Sequence, residues 1–236
     1  MSSQSVNTRR AFLIKAFNTG LLATVTSSAL LSSLVNAMAE VPAELPLGQS
    51  IYNFEGEVTV DGTIITKANM SKTVIRANSI VVTGQSSWIM FAIGKDAHHL
   101  RENSRLVLES TGVFEEAMRL FTGSVMSVFA KRKPTEKQFK MHTTTATVGI
   151  RGTAVYAESD TALNRSYVCT CYGEVDVSAI ADPSISENIK SAHHDNPRYI
   201  YADTSQGDII QAAPMKNHAD AELSLIEAIV GRTTPF

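Results

Sequence analysis

Short strand-like segments separated by turns dominate the middle of the chain and restrict the fold more than any other feature. Between residues 51 and 177, short runs of β-branched and apolar residues recur. The Asp61-Gly62 pair is a hairpin signal, residues 88–93 form a continuous apolar run typical of strands covered on both faces, and residues 175–177 alternate. This pattern predicts an all-β fold, a sandwich or roll of many short antiparallel strands, over residues 51–180.

Residues 181–236 differ in character and are predicted to form a C-terminal extension. Polar sequence with a His-His-Asp-Asn run leads to the best helical pattern of the chain, residues 220–230. The apolar residues on one face of this helix are Leu223, Ile226, Ile229 and Val230. Asn217 or Asp220 can cap its start. We expect the amphipathic helix to pack on the β domain and to cover an edge or an end of it.

The first 39 residues have the features of an export signal of the twin-arginine type. Arg9 and Arg10 precede Phe-Leu, and the following apolar stretch is interrupted by serines and threonines, which makes it a poor membrane span. A small-x-small pattern predicts cleavage after Ala39. A general secretory signal and an uncleaved membrane anchor are the alternatives. The sequence therefore predicts an exported protein.

Charge and motifs narrow the classes of partner and activity. Residues 40–50 are predicted to be a linker. Without residues 1–39 the chain keeps 18 Lys and Arg against 23 Asp and Glu, a net charge of −5, whereas nucleic-acid binding requires a basic patch. The sequence contains no Gly-x-Ser-x-Gly, phosphate-binding glycine loop or His-Glu-x-x-His. We therefore exclude nucleic acid as a partner and expect a protein that is not an enzyme; a hydrolase is the remaining alternative, without a motif to support it.

Four motifs that occur in order over residues 55–178 resemble those of the FecR domain. The clearest is a Gly-Ile-Arg-Gly-Thr turn, whose marked positions are Gly149, Arg151, Gly152 and Thr153. The others are a strand-Thr-Gly-x-x-Ser element at 80–87, a Leu-x-x-Gly-x-Val element at 120–125 and a closing Gly-x-Val-x-Val strand within 168–177.

The resemblance implies a periplasmic binding or sensing module of a Gram-negative bacterium, linked to iron uptake or envelope signalling. FecR proteins typically combine a cytoplasmic sigma-factor-binding segment, a transmembrane helix and a periplasmic sensory domain. Only residues 1–8 precede the arginine pair of the export signal here, so we expect the periplasmic domain alone, without anti-sigma activity. An envelope protein or a small ligand would be its partner, and membrane contact would require that the signal is retained as an anchor.

The arginine of the turn motif has two interpretations. Glycines on both sides of Ile150-Arg151 permit backbone angles that other residues avoid. Arg151 is either a structural clamp on backbone carbonyls or on a carboxylate such as Glu174, or a group that binds an anion.

Cys169-Thr170-Cys171 is the sharpest candidate for chemistry. In a strand, residues i and i+2 point to one face, with Cα atoms about 6.6–7 Å apart. A disulfide requires converging Cβ vectors, so it would need a bulge here. Two thiolates on one face can instead bind a soft or borderline metal. The two alternatives to a metal site are small buried side chains in a core and a local disulfide.

Histidines of the C-terminal extension can complete such a site if that segment folds back over the strand. The candidates are His193, His194 and His218, and the ligand would be a transition metal or a haem without covalent attachment, because no Cys-x-x-Cys-His is present. His98-His99 lies in a strand-like stretch, so its rings are expected on opposite faces.

Overall fold

The structure is a computed structural model that describes residues 48–110, 116–132 and 138–236. The predicted signal peptide, with Arg9, Arg10 and the cleavage position after Ala39, lies outside the described residues, and so does most of the predicted linker. No helix within the described part of the chain is long and apolar enough to cross a membrane.

Strands dominate the described residues, and the last long element is an α-helix. In chain order the elements are β1 (Ile51–Glu55), β2 (Val58–Val60), β3 (Thr63–Ile64), β4 (Ile80–Thr83), β5 (Trp88–Ile93), β6 (Asp96–Leu100), β7 (Arg105–Ser110), β8 (Glu116–Val128), β9 (Phe139–His142), β10 (Ala146–Ile150), β11 (Ala154–Asp160), β12 (Arg165–Ala179), β13 (Ser186–Ser191), β14 (Arg198–Tyr201), β15 (Ile210–Ala212) and α1 (Asp220–Ile229). A short 3-10 helix, Thr204–Gln206, lies between β14 and β15. The fold is all-β with a C-terminal helix, as the segment pattern predicts.

Two long strands, β8 and β12, connect two halves of the sheet. The first half of β12 pairs with β11 and β14, and its second half pairs with β10 and β13. β8 pairs with β7 and β9 near its start and with β6 and β11 near its end. β12 passes from one half to the other at Gly173, which has a φ of 92° and leaves no room for a Cβ beside Thr153. These two strands are longer than the predicted ones, and the β8–β9 pair is parallel.

The main core lies between the two halves of the sheet. It unites inward side chains of β5, such as Ile89 and Phe91, with those of β2, β4 and the second half of β12, such as Val58, Val81 and Val175. These residues are almost completely buried. The alternating segments of the sequence therefore supply the apolar side chains that hold the two halves together.

A second apolar cluster covers the outer face of one half, and we call it the outer-face cluster. Trp88 and Met90 of β5 point into it, where they meet Leu223 and Ile226 of α1. The β5 run is thus covered on both faces, as predicted. The expectation that the helix covers an edge or an end is wrong, because the strands behind it carry apolar side chains on this face too.

Helix α1 begins without a side-chain cap. Its N-cap residue, Ala219, makes no capping hydrogen bond. The predicted caps are wrong: the Asn217 amide donates to Glu158 at 2.7 Å, and the Asp220 carboxylate contacts two histidines. Both polar groups that could have capped the helix are thus used elsewhere. The helix ends at Ile229, one residue before the predicted end.

Only one glycine of the turn motif needs the backbone freedom that was expected of both. Gly149 lies inside β10, in regular pairing. Gly152 has a φ of 101°, and a Cβ there would lie 2.5 Å from the Lys131 Cα atom. The next residue, Thr153, is buried, and its hydroxyl donates to the Tyr172 carbonyl of β12. The motif therefore fastens the β10–β11 connection to β12.

Arg151 pairs with a carboxylate, although not the expected one. Its guanidinium donates to the Asp176 carboxylate at 2.8 and 3.1 Å, and Glu174 is not its partner. The Arg151 side chain is 57% exposed, so the pair contributes at most about 1 kcal/mol to stability.

Candidate metal centre

The two cysteines lie side by side in the outer-face cluster. Both are on β12 and fully buried, and Cys169 pairs in register with Tyr156 of β11. The next residue, Thr170, pairs with Val155, and a β-bulge after it leaves Cys171 as the extra residue of the strand. Their side chains therefore occupy one face, as the i, i+2 spacing predicts, and both thiols are free.

Two histidines from the C-terminal extension reach these thiols. His194 follows β13 in a left-handed conformation with a φ of 57°, and its backbone N–H donates to the Cys171 carbonyl at 2.9 Å. His218 lies two residues before α1, and its ring stacks on Tyr156 with ring centres 4.5 Å apart. The backbone of β12 and the ring of Tyr156 thus set the positions of the two imidazoles.

The four side chains converge on a volume that fits one metal ion. The donor atoms of Cys169, Cys171, His194 and His218 all lie within 4.8 Å of one another. The Cys169 Sγ and His194 Nδ1 atoms are 3.5 Å apart, and His194 Nδ1 is 2.9 Å from His218 Nε2. Ligands of a tetrahedral ion with ordinary Zn–S and Zn–N bonds lie roughly 3.3–3.8 Å apart. The cluster therefore needs only small shifts to enclose an ion, and it is far too small for a haem.

The hydrogen bonds of the two imidazoles determine which nitrogens face each other. The Nδ1 atom of His218 is 2.6 Å from the Lys216 carbonyl, which can only accept, so Nδ1 carries the proton. The Nε2 atom of His194 is 3.1 Å from the Asp220 carboxylate and donates to it. When both rings are neutral, the nitrogens that meet at 2.9 Å are therefore the two that carry lone pairs. Lone pairs at this distance require a cation between them, either a proton or a metal ion.

The surroundings favour a thiolate at Cys169. The hydrogen bond from Cys171, and then those from His194 and His218, hold the pKa of the Cys169 thiol well below its usual range despite burial. Burial raises the pKa of the Cys171 thiol. Burial also acts to lower the pKa of His194, but the Cys169 thiolate and the Asp220 carboxylate outweigh it and raise this pKa. The lowered pKa of Cys169 and the raised pKa of His194 favour a thiolate–imidazolium pair, and a bound ion would displace its proton.

His193 does not join the four ligands. Its ring is half exposed, and its Nε2 atom contacts the Asp220 carboxylate at 3.0 Å. It forms a second, more exposed group with His194 and Asp220. The prediction that all three C-terminal histidines meet the cysteines is therefore wrong for His193, because the chain bends after β13 and the left-handed His194 turns the two rings in different directions.

Sequence reasoning missed two residues beside the site. Asp220, the first residue of α1, accepts from Nε2 of His194 and so orients that ring, as carboxylates do behind metal-bound histidines. Met126 of β8 is fully buried, and its thioether sulfur accepts from the Cys171 thiol at 3.8 Å. In the sheet, Tyr156 of β11 lies between Met126 of β8 and Cys169 of β12. Strand pairing therefore places Met126 on the same face as the cysteines. No local pattern marks either residue.

Helix α1 buries a carboxylate next to the site. Glu222 accepts from the Arg101 guanidinium and contacts His99 Nδ1 at 2.6 Å. Burial acts to raise the pKa of Glu222, but Arg101 and His99 hold it far below its usual range. His98, the neighbour of His99, points the other way and packs on Phe91, so the two rings lie on opposite faces as predicted.

Comparisons with known proteins give a limited result. No family model and no curated protein matches the chain. Two crystal structures of a candidate anti-sigma factor from Parabacteroides distasonis ATCC 8503 are similar to it, with a TM-score of 0.48 and 11% sequence identity. The similarity covers 58% of this chain and 60% of that one. The FecR resemblance of the motifs thus stays a prediction.

Proposed function

We propose that this protein is a non-enzymatic, exported module that binds one transition-metal ion through Cys169, Cys171, His194 and His218. The observation that carries the proposal is the pair of imidazole nitrogens 2.9 Å apart, beside two buried thiols. Each imidazole is held in its tautomer by an acceptor on its far side. This arrangement supports a preformed metal site, because second-sphere hydrogen bonds orient the ligands in such sites.

The donor set determines the class of ion. Thiolates and imidazoles suit zinc, copper and other soft or borderline ions, whereas magnesium and calcium require oxygen ligands. The four donors leave little room for a bound water, because both cysteines are fully buried and His194 is nearly so. Such closed sites hold an ion rather than offer it to a substrate, and this supports a binding role instead of catalysis.

A titration with Co(II) tests this proposal. Purified reduced protein should bind one Co(II) per chain, with the intense thiolate and d–d absorption of a tetrahedral site. His218→Gln should abolish the spectrum, because it removes a ligand. His193→Gln is the matched control and should leave the spectrum unchanged, since this ring lies outside the four donors. A silent wild-type protein, or equal loss in both variants, would count against the site.

Export to the periplasm is part of the same proposal. It is supported by the arginine pair Arg9-Arg10 and the weakly apolar stretch that follows it. Twin-arginine export passes folded proteins, so the ion could be loaded before export. Replacement of both arginines by lysine should retain the protein in the cytoplasm, and the N-terminus of the exported form should be Glu40. Unchanged export of the lysine variant would contradict the twin-arginine route.

We propose that the bound ion serves envelope sensing or signalling, with an envelope protein as partner. The support is the ordered set of FecR-like motifs, and the link to iron uptake follows from that resemblance alone. Deletion of the gene should alter envelope or iron-uptake transcripts when metal supply changes. Unchanged transcripts under metal limitation and metal excess would contradict the signalling role but not metal binding.

A further inference from the structure

A third sulfur atom lies next to the four donors and is not explained by them. The Met126 Sδ atom is 3.8 Å from Cys171 Sγ, and both residues are fully buried. Two sulfur ligands on one tetrahedral ion with bonds of about 2.3 Å lie roughly 3.8 Å apart. The thioether thus has the spacing from Cys171 that a neighbouring ligand would have.

We propose that Met126 is a further donor of the metal centre and that the ion is monovalent copper. The inference rests on the proposed metal-binding function and names the ion. Met126 would add a third sulfur to the two thiols and two imidazole nitrogens, and a monovalent copper ion would take up to four of these donors from β8, β12 and the C-terminal extension.

The chemistry of the donors favours copper over zinc. Zinc in proteins takes thiolate, imidazole and carboxylate ligands, whereas a thioether is a soft ligand that suits monovalent copper. The surrounding outer-face cluster is apolar, with Met90, Val128 and Ala154 among its members. The oxygen atoms of Asp220 are already engaged by His193 and His194 on the far side of the site. Asp220 therefore does not compete with the sulfurs for the ion, and the Glu222 carboxylate is held by Arg101 and His99.

Competition titrations under anaerobic conditions test the proposal. The full exported chain is titrated with Cu(I) against a chromogenic Cu(I) chelator, and with Zn(II) against a fluorescent zinc chelator. We expect one Cu(I) per chain, bound more tightly than Zn(II). Met126→Leu should weaken Cu(I) binding by at least about tenfold and leave Zn(II) binding unchanged. Met118→Leu is the matched control, because Met118 is equally buried but belongs to the main core.

A second measurement uses the wild-type sequence, so its result does not depend on whether Met126→Leu folds. In protein labelled with selenomethionine, X-ray absorption at the copper edge should show one selenium scatterer at bonding distance. Zn(II) preferred over Cu(I), unaltered Cu(I) affinity in Met126→Leu, or no selenium near copper would overturn the proposal. Those results would leave metal binding by the four donors intact, whereas failure to bind either ion would remove the proposed function itself.

Discussion

At the scale of single residues, the orientation of His194 is the decisive feature of the site. Its ring has Asp220 behind it, and Cys169 and His218 in front of it. The carboxylate holds the proton on Nε2 and leaves Nδ1 as the ligand atom. Removal of this carboxylate should therefore affect metal binding although Asp220 is not one of the four donors.

Asp220→Asn should weaken metal binding by about 10–100-fold. The neutral amide is a weaker acceptor than the carboxylate and no longer holds the His194 ring in place. The affinity for Co(II) or Cu(I), measured by chelator competition, checks this expectation. Asp208→Asn is the control, since Asp208 is exposed and does not belong to the groups of clustered donors. Equal affinities for Asp220→Asn and wild type would show that the ring does not depend on this partner.

The residue scale also shows what the sequence can reveal about the site. The i, i+2 spacing of Cys169 and Cys171 predicts their common face, and the polar segment after β13 supplies His194. Met126 could not be predicted, because its distance from Cys171 depends on the pairing of β8 with β11 and of β11 with β12. The failure for His193 has a similar cause, since the direction of a side chain in an irregular loop depends on tertiary contacts.

At the scale of elements, the site joins α1 to the sheet. His218 precedes the helix, Asp220 begins it, and Cys169 and Cys171 lie on β12. The helix has ten residues and no side-chain cap, so it has little stability on its own. A metal ion that holds His218 against β12 should therefore stabilise the docking of α1.

Metal binding should slow amide hydrogen exchange in α1. We expect peptides covering residues 218–230 to exchange more slowly with Cu(I) or Co(II) bound than without it, because the ion fastens the start of the helix. Mass spectrometry of exchange with and without the ion measures the difference. It should vanish in His218→Gln and persist in His193→Gln. Equal exchange rates in metal-loaded and metal-free wild type would show that the ion does not stabilise the helix.

Glu222 provides a second, independent test of helix docking. Glu222→Gln should destabilise the protein by about 3–5 kcal/mol, because it leaves Arg101 without its buried partner. The native pKa of Glu222 is lowered, so its contribution is complete above the ordinary glutamate pKa of about 4.3 and is lost as pH falls below it.

Urea unfolding at pH 7 checks the effect of Glu222→Gln. Glu187→Gln, which breaks the more exposed pair with Arg198, is the control and should change stability by at most about 1 kcal/mol. Similar losses of unfolding free energy in the two variants would indicate that the buried pair stabilises the protein no more than the exposed one. The apolar face predicted for this helix gave no sign of Glu222, because a buried charge is recognised only from its partners.

At the scale of the whole molecule, the all-β class and the C-terminal helix follow from the sequence pattern, but the arrangement of the halves does not. Short apolar runs with turn signals predict strands such as β2, β5 and the end of β12. The crossing of β8 and β12 between the halves depends on non-local pairing. In the sequence, only the unbroken apolar run of β5 indicates that the outer face of the sheet is covered. Its outward residues Trp88 and Met90 lie in the outer-face cluster.

The buried His98 should make global stability depend on pH. Burial in the main core lowers its pKa to about 3, whereas the unfolded chain binds this proton near pH 6.5. The unfolded state thus binds more protons between these values, and stability should fall as pH decreases from about 6.5, by up to about 1.4 kcal/mol per pH unit. In metal-free protein, His98→Gln should reduce this slope; an unaltered slope would contradict a neutral buried His98.

The metal content of the protein from its native host tests the central claim most directly. The protein should be purified under anaerobic conditions, its metals determined by mass spectrometry, and its thiols mapped in the same sample. The account predicts one transition-metal ion per chain, copper by the further inference, with Cys169 and Cys171 unoxidised. A metal-free protein with a disulfide between Cys169 and Cys171 would contradict it.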